Sequence, residues 1–147
     1  MRILQAGVED VALAAPLFDA YRQFYGQKPD LTGVAAFLTE RLSRGESALF
    51  LALDGEATLG LVQLYPSFSS VRMRPIWLLN DLFVAEAARR RGVARLLMDA
   101  ARTLARSTGA AHLALSTVKD NAAARSLYLS LGYRLDEAFD HLELLID

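Results

Sequence analysis

The run from Ile76 to Val84 is almost wholly apolar, which is typical of a strand that is covered on both faces. A turn containing Gly92 follows, and apolar residues then recur at spacings of three and four as far as about Thr108. A doubly covered strand that leads straight into an amphipathic helix needs helical layers packed on a sheet. The chain is therefore predicted to be an α/β protein.

The other segments fit this class. Helical spacing marks Val11 to Phe24 and Leu31 to Arg44, and Asn121 is predicted to start a last helix that ends at Gly132. Strands are predicted at Arg2–Ala6, Ala48–Leu53, Ala57–Tyr65, Leu113–Val118, Tyr133–Leu135 and Leu142–Ile146, with a loop at Ser67–Arg74. The expected architecture is a single domain over residues 1–147, an α/β sandwich around a central mixed sheet.

Composition excludes several classes of function. The chain has 147 residues, of which 53% are hydrophobic and 22% charged, as in globular domains. A net charge of −1 argues against a nucleic-acid partner. The absence of cysteine excludes a thiol nucleophile, and two isolated histidines predict no metal site. No signal segment and no apolar run of membrane-spanning length is present, so we expect no membrane partner and a cytoplasmic location.

The turn after the central strand is unusually basic. Arg89, Arg90, Arg91 and Arg95 crowd the start of a helix, where the helix dipole already places partial positive charge. A bound anion such as a phosphate would offset this charge at a glycine-containing turn. A solvated basic patch capped by acids such as Glu86 and Asp99 explains the same residues, and the local sequence leaves both readings open.

Two motifs carry a family resemblance. Arg89, Gly92 and Ala94 fit the pattern Gln/Arg-x-x-Gly-x-Gly/Ala at the turn from a strand into a helix. A second pattern, Asn-x-x-Ala-x-x-Leu-Tyr-x-x-x-Gly-Phe/Tyr, is matched by Asn121, Ala124, Leu127, Tyr128, Gly132 and Tyr133. With both motifs in this order, the chain resembles the GCN5-related N-acetyltransferase (GNAT) superfamily. The resemblance implies a three-layer sandwich and acetyl transfer from acetyl-CoA to a primary amine, with no metal.

The resemblance also implies where acetyl-CoA lies. The pyrophosphate would be wrapped by backbone N–H groups of the turn, to which arginine side chains could add charge-assisted hydrogen bonds. The pantetheine arm would lie along the central strand like an additional strand. The cofactor-binding residues implied in this way are Leu82, Phe83, Val84, Arg89, Arg90, Arg91, Gly92, Val93, Ala94, Arg95 and Asn121. Helix capping alone also explains Asn121.

Roles in the reaction follow by the same resemblance. Tyr128 matches the family's general acid, which protonates the leaving thiolate; a packed core aromatic is the alternative. Asp81 is the acid of the central strand, either holding or deprotonating the acceptor or bonded to backbone at a bulge. Tyr21, Tyr25 and Asn80 are the predicted substrate-binding residues. Phe24, Tyr65 and Trp77 are predicted to be core.

The acceptor is less closely defined. Leu79–Val84 looks most like the same strand of diamine (polyamine-type) acetyltransferases, except that Asn80 stands where those often carry Glu. A small-molecule amine is the first expectation; a protein or peptide amine and a non-catalytic CoA-binding sensor are the alternatives. Many relatives are dimers, and Leu142–Ile146 could contribute either to a homodimer interface or to the core.

Overall fold

The computed structural model describes residues 1–146. It contains a mixed sheet of strands β1 to β5 in that spatial order, antiparallel except for the parallel pair β4 and β5. The strands are Arg2–Gln5 (β1), Ala48–Asp54 (β2), Ala57–Ser69 (β3), Arg74–Val84 (β4) and Leu113–Leu115 (β5). The helices are Val11–Phe24 (α1), Leu31–Ser43 (α2), Val93–Ser107 (α3) and Ala122–Ser130 (α4). The chain falls into two compact units, residues 1–116 and residues 117–147.

The first unit has three layers. One face of the sheet presents Leu49, Leu51, Leu53 and Leu61 to the apolar sides of α1 and α2, where Ala14, Phe18, Val34 and Leu38 are buried. The alternate residues point to the opposite face, against which α3 packs. Gly60 permits this close approach, since a Cβ there would lie 2.9 Å from Val93 Cγ1 and 3.0 Å from Leu97 Cδ1. The predicted α/β sandwich with a mixed sheet is confirmed.

A bulge interrupts the pairing of β3 with β4. Gln63 pairs with Asp81 and Leu64 pairs with Leu79, so Asn80 is an extra residue on β4. The parallel ladder between β4 and β5 runs only from Trp77 to Leu79 and stops at this point. Within residues 1–146 no strand pairs with the far edge of β4 from Asn80 to Val84. The structure thus leaves an open strand edge directly after the bulge.

Two predictions of local structure are wrong, the first of them in part. Within the predicted loop Ser67–Arg74, residues 70–73 form a turn, but both ends belong to the ladder, because β3 and β4 continue as a long hairpin in which Ser67 pairs with Ile76 and Ser69 with Arg74. The closing strands Tyr133–Leu135 and Leu142–Ile146 are absent from the described part of the chain. Alternating apolar residues predict a strand, but a strand exists only where a partner completes its ladder. Leu142, Leu144, Leu145 and Ile146 are exposed, which contradicts their burial in the core.

The second unit consists of α4 and irregular backbone. Asn121 caps α4, because its side chain accepts a hydrogen bond from the Ala124 amide at 3.2 Å. The capping predicted for this residue is confirmed. Gly132, at φ +95°, reverses the chain after α4, and the ring of Tyr133 then lies 6.0 Å from the ring of Tyr128.

Candidate active site

A buried carboxylate lies beside the bulge. Asp81 is 7% exposed, and its Oδ1 accepts hydrogen bonds from the Tyr21 hydroxyl at 2.9 Å and from Asn80 Nδ2 at 3.2 Å. Its Oδ2 accepts one from Gln63 Nε2 at 2.9 Å. All three donors are side chains, whereas the structural alternative expected backbone donors. The three donors are neutral, so within residues 1–146 no cation pairs with this carboxylate.

Gln63 extends this network into the sheet. Its side chain is fully buried, and Nε2 also donates to the Tyr65 hydroxyl oxygen at 3.1 Å. The reverse amide orientation would place Oε1 against the Asp81 carboxylate, so the charge on Asp81 fixes the amide. In this orientation Gln63 Oε1 has no hydrogen-bond partner among residues 1–146. Burial, together with the nearby Asp81 charge, raises the pKa of Tyr65 to about 12, so its hydroxyl keeps its proton.

The turn between β4 and α3 has the backbone of an anion cradle. Arg90 and Gly92 both have left-handed conformations, with φ of +65° and +78°. Gly92 caps α3 without any side-chain hydrogen bond, and no acid stands in the first helical turn. No acid of the first helical turn therefore caps the N–H groups that begin α3. The solvated basic patch stays the alternative, with Arg91 paired to Asp54 rather than to Glu86 or Asp99. A Cβ built on Gly92 would have no atom within 4 Å, so the space in front of this turn is open.

The arginine side chains of this turn do different things. Arg91 forms an exposed ion pair with Asp54 at 3.6 Å. Arg89 turns back toward the strand, where Nε donates to the Val84 carbonyl at 3.3 Å and the guanidinium lies 5.7 Å from the centre of the Phe83 ring. Arg90 and Arg95 are exposed, Val93 is buried, and Ala94 is half-buried. Arg89 and Arg91 thus make contacts within the protein. The candidate contacts for a phosphate group are therefore the backbone N–H groups of the turn rather than these two side chains.

Three predicted substrate residues lie around Asp81. Tyr21 contacts it directly, and Asn80 is the exposed bulge residue that also donates to it. Tyr25 is 50% exposed and meets the Tyr21 ring edge-on at 5.3 Å. Leu82 pairs with Val62 and Val84 pairs with Gly60, which places both on the strand whose far edge is open.

Phe24 is the exception to its prediction. It is 63% exposed, so the expectation that it belongs to the core is wrong. It is the last residue of α1, and its ring lies 5.9 Å from the ring of Phe83 on β4.

Two residues named from the second motif lie in the second unit. Tyr128 is half-buried on α4, and Asn121 is the cap described above. Their roles toward acetyl-CoA stay predictions from the motif.

Sequence reasoning missed Gln63 and underrated Tyr65. Gln63 is a polar residue inside the apolar run Leu59–Leu64, and this is the signal that could have identified it. A buried amide needs partners, and the facing strand supplies Asp81.

Residues 1–146 contain no group of three or more histidine, aspartate or glutamate side chains placed to hold a metal ion. Within the same residues, no helix has both the length and the apolar character needed to cross a bilayer.

These features define a class: an α/β sandwich with a bulged central strand, an open strand edge, and a glycine turn leading into a helix. The family model of the Acetyltransferase (GNAT) family matches residues 14–133. The chain belongs to this family, and it is an N-acetyltransferase. Acetyl-CoA dependence fits the family. The open edge of β4 and the glycine turn that leads into α3 are compatible with that donor.

Similar proteins support this assignment. The chain is 47% identical to the uncharacterized N-acetyltransferase YhfO of Bacillus subtilis (strain 168) over 141 residues, which cover 96% of this chain and 95% of that protein. It is 32% identical to a probable acetyltransferase of Haemophilus influenzae over 137 residues, 92% of each chain. The crystal structure of a probable acetyltransferase matches with a TM-score of 0.95 and 45% identity, covering 100% of this chain and 99% of that one.

Proposed function

We propose that the protein transfers the acetyl group of acetyl-CoA to the primary amine of a small molecule, by direct attack of the amine on the thioester. The observation that carries this proposal is the buried Asp81 carboxylate beside the bulge of β4, next to the open strand edge. It offers a negative charge to an amine at the place where the acetyl group would lie. The diamine-type resemblance rests on the strand Leu79–Val84 alone.

The proposed reaction needs a neutral amine. The ammonium gives one proton to the Asp81 carboxylate, directly or through water, and the nitrogen then bonds to the thioester carbonyl carbon. As the carbon–sulfur bond breaks, the nitrogen releases its second proton to water, and sulfur leaves as a thiolate that takes a proton from a donor which is then reprotonated from water. Tyr128 is proposed as the donor of that proton on the strength of its motif. Backbone N–H groups of β4 near the bulge are proposed to stabilise the negative charge that develops on the carbonyl oxygen.

The donor side is proposed to follow the family. Backbone groups of Leu82, Phe83 and Val84 would bond the pantetheine amides. The turn from Arg89 to Arg95 would hold the pyrophosphate. The cofactor-binding role of Asn121 stays a prediction from its motif. A homodimer and a cytoplasmic location stay predictions from the sequence.

Substitution of Asp81 by Asn tests the proposal, since Asn keeps the shape but removes the charge and the proton acceptor. We expect kcat/KM for the best amine of a panel to fall about 100-fold or more, the usual scale for losing a general base. Acetyl-CoA affinity measured by calorimetry should change less than about twofold, because no donor contact is removed. Asp99→Asn, at an exposed acid on α3, is the matched control and should behave as wild type.

Unchanged kcat/KM in Asp81→Asn would refute the role of Asp81. Tight binding of acetyl-CoA without thiol release for any amine of the panel would instead favour the CoA-binding sensor.

A further inference from the structure

Exposed aromatic rings surround one side of the Asp81 site. The rings of Phe24 and Tyr25 lie 5.4 Å apart at the end of α1 and are 63% and 50% exposed. The Phe83 ring on β4 lies 5.9 Å from Phe24 and 5.4 Å from Tyr21. We call Tyr21, Phe24, Tyr25 and Phe83 the aromatic shelf. Tyr21 and Phe83 are half-buried and Phe24 and Tyr25 are exposed, and exposed apolar rings that adjoin one another are typical of a surface that binds a ligand.

The aromatic shelf is joined to the carboxylate. Tyr21 belongs to both, because its ring packs on Tyr25 and Phe83 while its hydroxyl donates to Asp81. Asp81 and Phe83 are two residues apart on one strand beyond the bulge and therefore point to the same face of the sheet. A carboxylate thus lies beside a cluster of aromatic rings that meet edge-on or tilted, and carboxylates and aromatic rings both attract an organic cation.

Of the two buried acids, Asp81 is the one without an ion pair within residues 1–146. Asp19, the other buried acid of the first unit, is occupied by Arg22 at 3.0 Å, Gln23 at 3.4 Å and the Asp30 amide at 3.1 Å. The Arg89 guanidinium lies over Phe83. A second ammonium group on the acceptor would therefore meet a guanidinium at the Phe83 side of the shelf. In the described residues, Asp81 is the acid that hydrogen-bonds to a shelf residue.

We propose that the acceptor is a monocationic primary amine with an aromatic or apolar body. Its nitrogen lies at Asp81 and its body lies on the aromatic shelf, which excludes polyamines as preferred acceptors. This proposal rests on the acetyltransferase function proposed above and specifies the substrate class of that site.

The test compares three amines in a thiol-release assay with saturating acetyl-CoA: phenylethylamine, spermidine and ethanolamine. For the wild type we expect kcat/KM for phenylethylamine to exceed that for spermidine about tenfold or more, because stacking and cation–π contacts favour the former. Phe24→Ala should lower kcat/KM for phenylethylamine about three- to tenfold and leave ethanolamine within about twofold. Tyr25→Ala should act in the same direction, which guards against an effect peculiar to one variant.

Phe68→Ala is the matched control. Phe68 is 79% exposed on β3 near its hairpin turn, outside the aromatic shelf, so this variant should leave all three amines unchanged. Spermidine used as well as phenylethylamine would overturn the proposal while the acetyltransferase function stands. Equal losses for all three amines in Phe24→Ala would also overturn it, because the ring would then serve the donor. Failure to bind acetyl-CoA in calorimetry would refute the proposed function itself.

Discussion

Gly92 offers a direct test of the phosphate turn. Its φ of +78° is a left-handed conformation in which a residue with a Cβ is strained by about 1 kcal/mol. A Cβ there has no neighbour within 4 Å, so substitution adds strain but no clash within the protein. Gly92→Glu should therefore fold with a modestly reduced free energy of unfolding. The space that its side chain enters is the space proposed for the pyrophosphate.

The charge adds a second and larger effect on binding. A carboxylate about 5 Å from one phosphate charge, at an effective dielectric constant of about 20, is repelled by about 3 kcal/mol. This energy corresponds to a loss of acetyl-CoA affinity of about 100-fold. Gly92→Gln has nearly the same size without the charge, so its affinity should lie between those of wild type and Gly92→Glu.

Isothermal titration calorimetry with acetyl-CoA measures these affinities, and urea denaturation checks the fold. Gly109→Glu is the matched control, because Gly109 has φ +71° and equally open space but lies at the far end of α3. It should lose similar stability and keep wild-type affinity. Wild-type affinity in a folded Gly92→Glu variant would refute the cofactor assignment of this turn. Equal losses of acetyl-CoA affinity in Gly92→Gln and Gly92→Glu would refute the expected repulsion between the carboxylate and the phosphate.

Further predictions follow from other parts of the chain. Tyr128→Phe should lower kcat about ten- to a thousandfold with little change in acetyl-CoA affinity, and wild-type turnover would remove Tyr128 from the chemistry. Because the pKa of Tyr65 is raised from 10.0 to about 12, the unfolded chain loses this proton first, and stability should fall as pH rises through that interval. Urea denaturation over this pH interval should show a weaker fall in the free energy of unfolding for Tyr65→Phe than for wild type. An equal fall in both proteins would contradict the raised pKa of Tyr65. Gly60→Ala should cost about 1–3 kcal/mol of unfolding free energy in the same assay through overpacking against Val93 and Leu97, and an unchanged midpoint would argue against that contact. Sedimentation equilibrium at about 10–50 µM should show a homodimer, and a pure monomer would count against it.

The strength of local signals decided how much could be predicted from the sequence. The apolar run of β4 and the periodicity of α3 identified the central β-turn-α unit correctly, because an apolar run and helical amphipathicity leave clear patterns. The predicted cover on both faces of β4 is wrong, since Leu79 and Asp81 are the buried residues of this strand and the others are half-buried or exposed. The polar residues Ser67 and Ser69 concealed the end of β3, since the long hairpin is held by backbone pairing that side-chain polarity does not report. The apolar C-terminal segment Leu142–Ile146 gave the opposite error, because its composition predicted a strand and the structure has none there.

The candidate site shows the same division. Tyr21 and Asp81 were identified separately, from a helix and a strand that are 60 residues apart, but only the fold shows that their side chains form a hydrogen bond. Phe24 was misjudged because a helical apolar pattern continues to the end of α1, whereas the pattern does not report how much of its last side chain stays exposed. Such an error is informative, because an aromatic residue that sequence pattern assigns to the core and the fold leaves in solvent is a candidate for ligand binding.

The bulge at Asn80 connects these observations. Without the extra residue, the alternation of β4 would place Leu79 on the same face as Asp81 and Phe83; with it, Leu79 pairs with Leu64 and is buried on the other face. The bulge therefore serves both the core and the site. It keeps Leu79 packed in the segment of β4 that pairs with β5. It also turns the following residues so that the Asp81 carboxylate and the Phe83 ring face α1. The ladder with β5 ends at the same position. The inserted residue Asn80 therefore places the Asp81 carboxylate, which is proposed to bind the acceptor amine, beside the strand edge that is proposed to bind acetyl-CoA.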